Sequence, residues 1–176
     1  MKNWPSGYCR EHFLADMMHD RGFHNAVELG VWKGRTFLHL LTHCPNATIV
    51  GVDTWVKYPE RDGVPGGQTY NDWNMAGLEA HVRRCSLPFG TRAIILKMPT
   101  ESAARQFTDN QFDLIFIDAD HSEAGVRADI RNWRSKVRAG GVLAGHDIDW
   151  PTVRKVVDEE VGKYEIGPDN VWWSQC

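Results

Sequence analysis

Long apolar runs are missing from this chain. No stretch approaches the roughly eighteen consecutive apolar residues that a membrane-crossing helix needs, and no apolar run follows a basic start in the opening segment. The expectation is a chain with no membrane partner and no export signal. Cysteine is sparse as well: Cys9, Cys44, Cys85 and Cys176 lie far apart, with no C-x-x-C pair and no cysteine/histidine cluster at zinc spacing. Reduced thiols in the cytoplasm follow from that pattern. Charge of one sign is lacking too, since a formal charge of -3 and a pI near 6.2 give no field for a phosphate backbone. Nucleic acid is therefore not an expected partner. Internal repeats and low-complexity tracts are absent.

What is present suits one globular domain: 176 residues, 42% hydrophobic and 24% charged, enough for a core without disulfide or metal staples. Eight tryptophans are many for this length, and Trp55, Trp150, Trp172 and Trp173 adjoin loops or chain ends, where they suit a pocket or a subunit contact as well as a core.

Along the chain, apolar periodicity predicts a helix over Tyr8 to Arg21 ending at Gly22, then a buried strand at Ala26 to Gly30 and a helix from Arg35 to His43. A second strand covers Thr48 to Asp53. The polar, glycine- and proline-containing stretch from Thr54 to Thr69 is too long for a plain connector and reads as a lid or substrate loop. Helix from Tyr70 to Ser86, strand from Ala93 to Lys97, and a short helix from Thr100 to Phe107 follow. The strand Phe112 to Asp118 is the clearest in the chain. Ser122 then caps a helix reaching Val137, Gly140 to Gly145 leads a fifth strand, a helix spans Thr152 to Val161, and strands at Lys163 to Ile166 and Val171 to Ser174 complete seven. Alternating strands and helices, with strands apolar on both faces, predict an α/β fold: a doubly wound, mostly parallel seven-stranded sheet covered by helices.

Ligands of such sheets bind beyond the carboxyl ends of the strands, which selects the residues to inspect. The first strand runs into Glu28-x-Gly30-x-x-x-Gly34, a turn that lets backbone approach a ligand while a helix N-terminus faces it. This is neither G-x-G-x-x-G nor a phosphate loop, which needs one more spacer and a lysine where Arg35 stands. Asp53 ends the second strand, where a carboxylate suits both hydroxyls of an adenosine ribose. Trp55, two residues on, suits either adenine stacking or the core. The fourth strand ends in Asp118-Ala119-Asp120-His121 and the fifth in His146-Asp147-x-Asp149. Ionisable groups at neighbouring strand ends imply a cleft, a proton-transfer site or a cation.

Four segments resemble class I S-adenosylmethionine-dependent methyltransferases: Glu28 to Thr36, Gly51 to Trp55, Phe112 to Ser122, and Gly140 to Asp147. They resemble most the bacterial and phage branch with macrocin-type sugar O-methyltransferases and, more distantly, catechol O-methyltransferases. The resemblance runs from about Ala26 to Val161. It implies a Rossmann-like methyltransferase fold with S-adenosylmethionine held by Glu28, Gly30, Gly34, Asp53, Thr54, Trp55 and Asp118. Thr100 and Glu101 fall, in a looser match, where the family contacts adenine.

The resemblance also implies transfer of methyl to a hydroxyl of a small molecule or sugar. His121 stands where metal-dependent relatives place a base, and Asp118 and Asp147 would offer oxygens to Mg²⁺. His146 departs from the aspartate common in catechol-type enzymes, which leaves it open as a second candidate base. The segment ahead of the first motif is shorter than in many small-molecule relatives, so a larger acceptor, or closure by a second copy in a homodimer, is expected.

Arg127, Arg131, Arg134 and Arg138 share helical spacing, and a solvated helix face is the expected reading. Two rival functions compete. A nicotinamide oxidoreductase shares the fold, but no Tyr-x-x-x-Lys pair occurs here. A non-catalytic nucleoside-binding module would bind cofactor without turnover and tolerate loss of His121 or Asp147.

Overall fold

A computed structural model describes residues 4–56 and 74–176. Of the expected lid loop, residues 57–69 lie outside this range, as do residues 70–73 of the helix expected to follow it. In chain order the elements are α1 (Arg10–Arg21), β1 (Asn25–Leu29), α2 (Arg35–His43), β2 (Thr48–Asp53), α3 (Met75–Ser86), β3 (Ala93–Lys97), α4 (Thr100–Ala104), β4 (Phe112–Ile117), α5 (Glu123–Trp133), β5 (Val137–Gly145), α6 (Pro151–Glu160), β6 (Glu165–Ile166) and β7 (Trp172–Gln175). The α/β expectation holds: one seven-stranded sheet in the order β3-β2-β1-β4-β5-β7-β6. The first five strands run parallel, while β7 is antiparallel to both β5 and β6.

Two apolar layers cover the sheet. Leu14 and Met18 of α1, Phe37, Leu40 and Leu41 of α2, and Val82 of α3 pack with Ala26, Ile49, Leu114 and Phe116 on one face. Ala103 of α4, Val126, Ile130 and Trp133 of α5, and Val153, Val156 and Val157 of α6 pack with Val27, Leu29, Val50 and Ile115 on the other. Burying the central strands on both faces explains why β4 reads as an unbroken apolar run.

Local chemistry sets the ends. Gly22 stops α1 in the left-handed conformation, φ 63°, with the amides of Gly22 and Phe23 bonded back to His19 and Met18. The Ser122 hydroxyl accepts from the Gly125 amide and starts α5 as the sequence predicted. That helix ends earlier than expected, at Trp133. Val137 has left it to pair with Phe112, and the buried Asp113 carboxylate draws the Arg138 guanidinium to the sheet, while also accepting from the His24 and Asn25 amides at 2.6 and 2.8 Å. Arg138 therefore does not belong to the helical basic stripe. The other three arginines are not simply solvated either: Arg127 and Arg131 pair with Glu160, Arg127 also with Glu159, and Arg134 donates to the Glu160 carbonyl, clamping α5 to α6.

Asp129 of α5 is buried against the Thr100 hydroxyl, which donates to it at 2.6 Å. Burial, opposed by that bond, raises its pKa from 3.8 to about 7. A carboxyl that prefers its proton when folded adds stability below the unfolded pKa. That stability is lost as pH rises toward the folded pKa. Asp129→Asn, which keeps the acceptor and removes the charge, is expected to raise the thermal midpoint by several degrees at pH 8 and to change it little at pH 4. Melting curves of both proteins across that range check this.

Candidate active site

Most of the residues expected to act fall at the carboxyl edge of the sheet around β1, where the chain leaves in opposite directions to β2 and β4. The turn after β1 is possible only with glycine at two positions. Gly30 has φ 89°, and a Cβ there would lie 2.0 Å from the Asp118 carbonyl oxygen. Gly34 has φ 79°, and its Cβ would meet Val82 at 2.9 Å. Trp32 and Trp55 also hold positive φ, 47° and 45°, strained for such bulky side chains.

Asp53 explains why they stay there. Its two oxygens accept one amide each, from Trp32 at 2.8 Å and Trp55 at 2.7 Å, so this carboxylate locks the turns after β1 and β2 together. Burial raises its pKa, and the surrounding amides oppose the rise. The Trp55 side chain is buried, and its indole N–H donates to the Trp32 carbonyl at 2.9 Å. The Thr54 hydroxyl accepts from the Val56 amide. On β1, Glu28 is only 2% exposed, and its Oε2 has no partner. Burial and the nearby Asp118 push its pKa well up. An orphaned buried carboxyl oxygen is costly, and a bound donor would relieve it.

Beyond β4 and β5 the second half of the site assembles. His121 Nε2 lies 2.7 Å from Asp147 Oδ2 and 3.5 Å from Asp118 Oδ1, in neither case aligned as a hydrogen bond. One imidazole nitrogen and two carboxylates thus converge on a point, the donor set of a divalent-cation site. Burial lowers the His121 pKa, but the two carboxylates win and raise it to about 9. The His121 ring also leans on Trp150, centroids 4.6 Å apart. Asp147 sits at φ 54°. His121 and His146 hold its pKa below the usual range despite burial. His146 Nδ1 is 3.0 Å from Asp147 Oδ1. Its pKa is raised too, as Asp147 and Asp118 outweigh burial and the nearby Arg10.

The remaining expected residues lie aside. Thr100 turns its hydroxyl to Asp129, and Glu101 is exposed and pairs with Arg105. Asp120 accepts from the Ser122 amide, and Asp149 is exposed.

Sequence reasoning missed Arg10. From the first turn of α1 its Nε donates to the Thr36 hydroxyl at 3.2 Å, one Nη lies 3.3 Å from His146 Nε2, and the other 3.5 Å from Asp118 Oδ2. A signal existed, because Arg10 shares the helical stripe of Leu14, Met17 and Met18 and so points inward.

A seven-stranded sheet with its last strand reversed, a glycine turn beside a buried acid, and ionisable groups beyond β4 and β5 are the frame of an S-adenosylmethionine-dependent methyltransferase. The chain belongs to the family described as "Methyltransferase domain", whose model matches residues 27–148. No curated protein sequence matches it significantly. Among solved structures it is similar to CalS11, a TDP-rhamnose 3'-O-methyltransferase of calicheamicin biosynthesis, at 19% identity over 94% of this chain and 80% of that one, TM-score 0.62. The O-methyltransferase NovP is similar at 17% identity over 92% and 75%, TM-score 0.68. So is the S-adenosylhomocysteine-bound methyltransferase PaMTH1 of Podospora anserina, at 15% over 93% and 76%, TM-score 0.66.

Gly30→Ala drives a methyl group into the Asp118 carbonyl and separates the two halves of the site. Its expected effect is a melting point lower by more than about five degrees and loss of S-adenosylhomocysteine binding, measured by calorimetry.

Proposed function

We propose that this enzyme transfers the methyl group of S-adenosylmethionine to a hydroxyl oxygen of a small molecule or sugar. The observation that carries this reading is the convergence of His121, Asp118 and Asp147 beside the glycine turn. Methyl transfer from a sulfonium is an in-line displacement, so the protein must align the acceptor oxygen behind the methyl carbon and take its proton.

In this reading Glu28, Gly30, Gly34 and Asp53 hold the cofactor, with Thr54 and Trp55 shaping the turn around its ribose. Asp118 borders both halves. The turn carrying Thr100 and Glu101 lies toward the adenine end and contributes by backbone, since both side chains are engaged elsewhere. His121, in the neutral form it takes as pH approaches its raised pKa of about 9, receives the hydroxyl proton. His146, between Asp147 and Arg10, orients Asp147 and serves as the second candidate base. Asp118 and Asp147, with His121 at the rim, suit Mg²⁺, which when bound would lower the acceptor's pKa. The TDP-rhamnose 3'-O-methyltransferase and the O-methyltransferase NovP among the similar structures support a sugar or small-molecule hydroxyl acceptor.

No helix among the described residues is long and apolar enough to cross a membrane, and all four cysteines are free, which supports a cytoplasmic setting. The chain acts as a single methyltransferase domain, with the segment at 54–69 as its substrate loop and a second copy as its partner in a homodimer.

His121→Ala is expected to lower kcat by about 10²–10⁴-fold while S-adenosylhomocysteine still raises the melting temperature. Asp147→Asn is expected to abolish any further rise produced by Mg²⁺. Turnover of a hydroxyl-acceptor panel, followed by S-adenosylhomocysteine release, supplies the activity readout. Undiminished turnover in His121→Ala would remove it as the base, and binding without turnover of any acceptor would favour a non-catalytic module.

A further inference from the structure

Arg10 is a cation carried into the heart of the site by a helix that lies ahead of the matched family region. Its side chain is 17% exposed, and its guanidinium spans three groups: the Thr36 hydroxyl, His146 Nε2 and Asp118 Oδ2. The Asp118 contact, at 3.5 Å, is loose for an ion pair, and the strong charge-assisted distance is nearer 2.8 Å. Nothing among the described residues holds this guanidinium in a close, two-pronged pair, the geometry it favours with a carboxylate.

Its surroundings match the amino-acid end of the cofactor, a zwitterion with a carboxylate and an ammonium on one carbon. Thr36 lies in the first turn of α2, where amides point outward and favour an anion. Arg10 adds a full positive charge at the same place. Close by, Glu28 Oε2 is buried without a donor, and the Thr36 hydroxyl links the two groups by lowering the Glu28 pKa while accepting from Arg10. An anion receptor and an orphaned carboxyl oxygen thus share the threonine between them.

We propose that Arg10, positioned by the Thr36 hydroxyl that accepts from it, binds the α-carboxylate of the methionine end of the cofactor, leaving Glu28 to face the adjacent ammonium. This rests on the adenosyl-cofactor reading of the site. It makes α1 part of the cofactor pocket and not merely a cover for the sheet. The same guanidinium touches Asp118 and His146, so a cofactor lacking the carboxylate would leave Arg10 facing the proton-transfer half of the site.

The test is calorimetric binding of two nucleosides that share the adenosine and thioether: S-adenosylhomocysteine, which has the amino-acid end, and 5'-methylthioadenosine, which lacks it. Arg10→Met, which preserves apolar packing on the stripe, and Arg10→Ala are compared with the natural protein, with melting curves confirming that each folds. Loss of about 10- to 100-fold in S-adenosylhomocysteine affinity, with methylthioadenosine affinity unchanged, is the expected result. Equal loss for both nucleosides would make Arg10 a structural residue, and tighter S-adenosylhomocysteine binding would make it a plug that the cofactor displaces. Either overturns the proposal. If the natural protein binds neither nucleoside, the cofactor reading itself falls, an outcome distinct from failure of Arg10 alone.

Discussion

The close approach of two backbone turns, after β1 and after β4, governs where every polar group of the site lies. Gly30 passes so near the Asp118 carbonyl that no side chain fits between them. Because β1 sits between β2 and β4, this contact fixes the glycine turn relative to the strand end that carries Asp118 and His121. Asp53 extends the constraint sideways, tying the β1 and β2 turns through two amides at the expense of two strained tryptophans. The strain is tolerable because the packed sheet beneath over-determines the turns.

On that frame the electrostatics are tightly coupled. Glu28, Asp53, Asp118 and Asp147 surround one cleft, opposed by Arg10 and two histidines whose pKa values are raised by the acids around them. Unit charges a few ångströms apart at a protein surface interact by about 4 kcal/mol, so such a cluster is costly when its counter-charges are removed.

The strands, glycine turns and acids after them were legible in the sequence because they are local: apolar runs, then a glycine or a carboxylate where the strand stops. Helix α2 agrees with its sequence boundaries, and the clustering of Asp118, His121, His146 and Asp147 follows from topology alone. What escaped depends on distant partners. Arg10 meets His146 across 136 residues, and only its place on an apolar stripe hinted at burial. Arg138 looked helical by spacing, yet Asp113 and the pairing of Val137 with Phe112 place it on β5. The fate of Trp55 and Thr100 was decided by the Trp32 carbonyl and by Asp129, neither readable from neighbours in sequence.

Strand β7 lies against β5, and the Trp172 indole fills the space over Gly145 so closely that a Cβ there would sit 2.5 Å from the ring. Gly145 immediately precedes His146 and Asp147. During synthesis the glycine turn, β2, β4 and His121 all emerge before this buttress exists, so that side of the cleft can form while the chain is still growing. His146 and Asp147, which directly follow Gly145, gain this support only once β7 has been made and has paired with β5. A nascent chain stalled before β7 would carry an incomplete site, and acquisition of chemistry is thereby coupled to completion of the sheet.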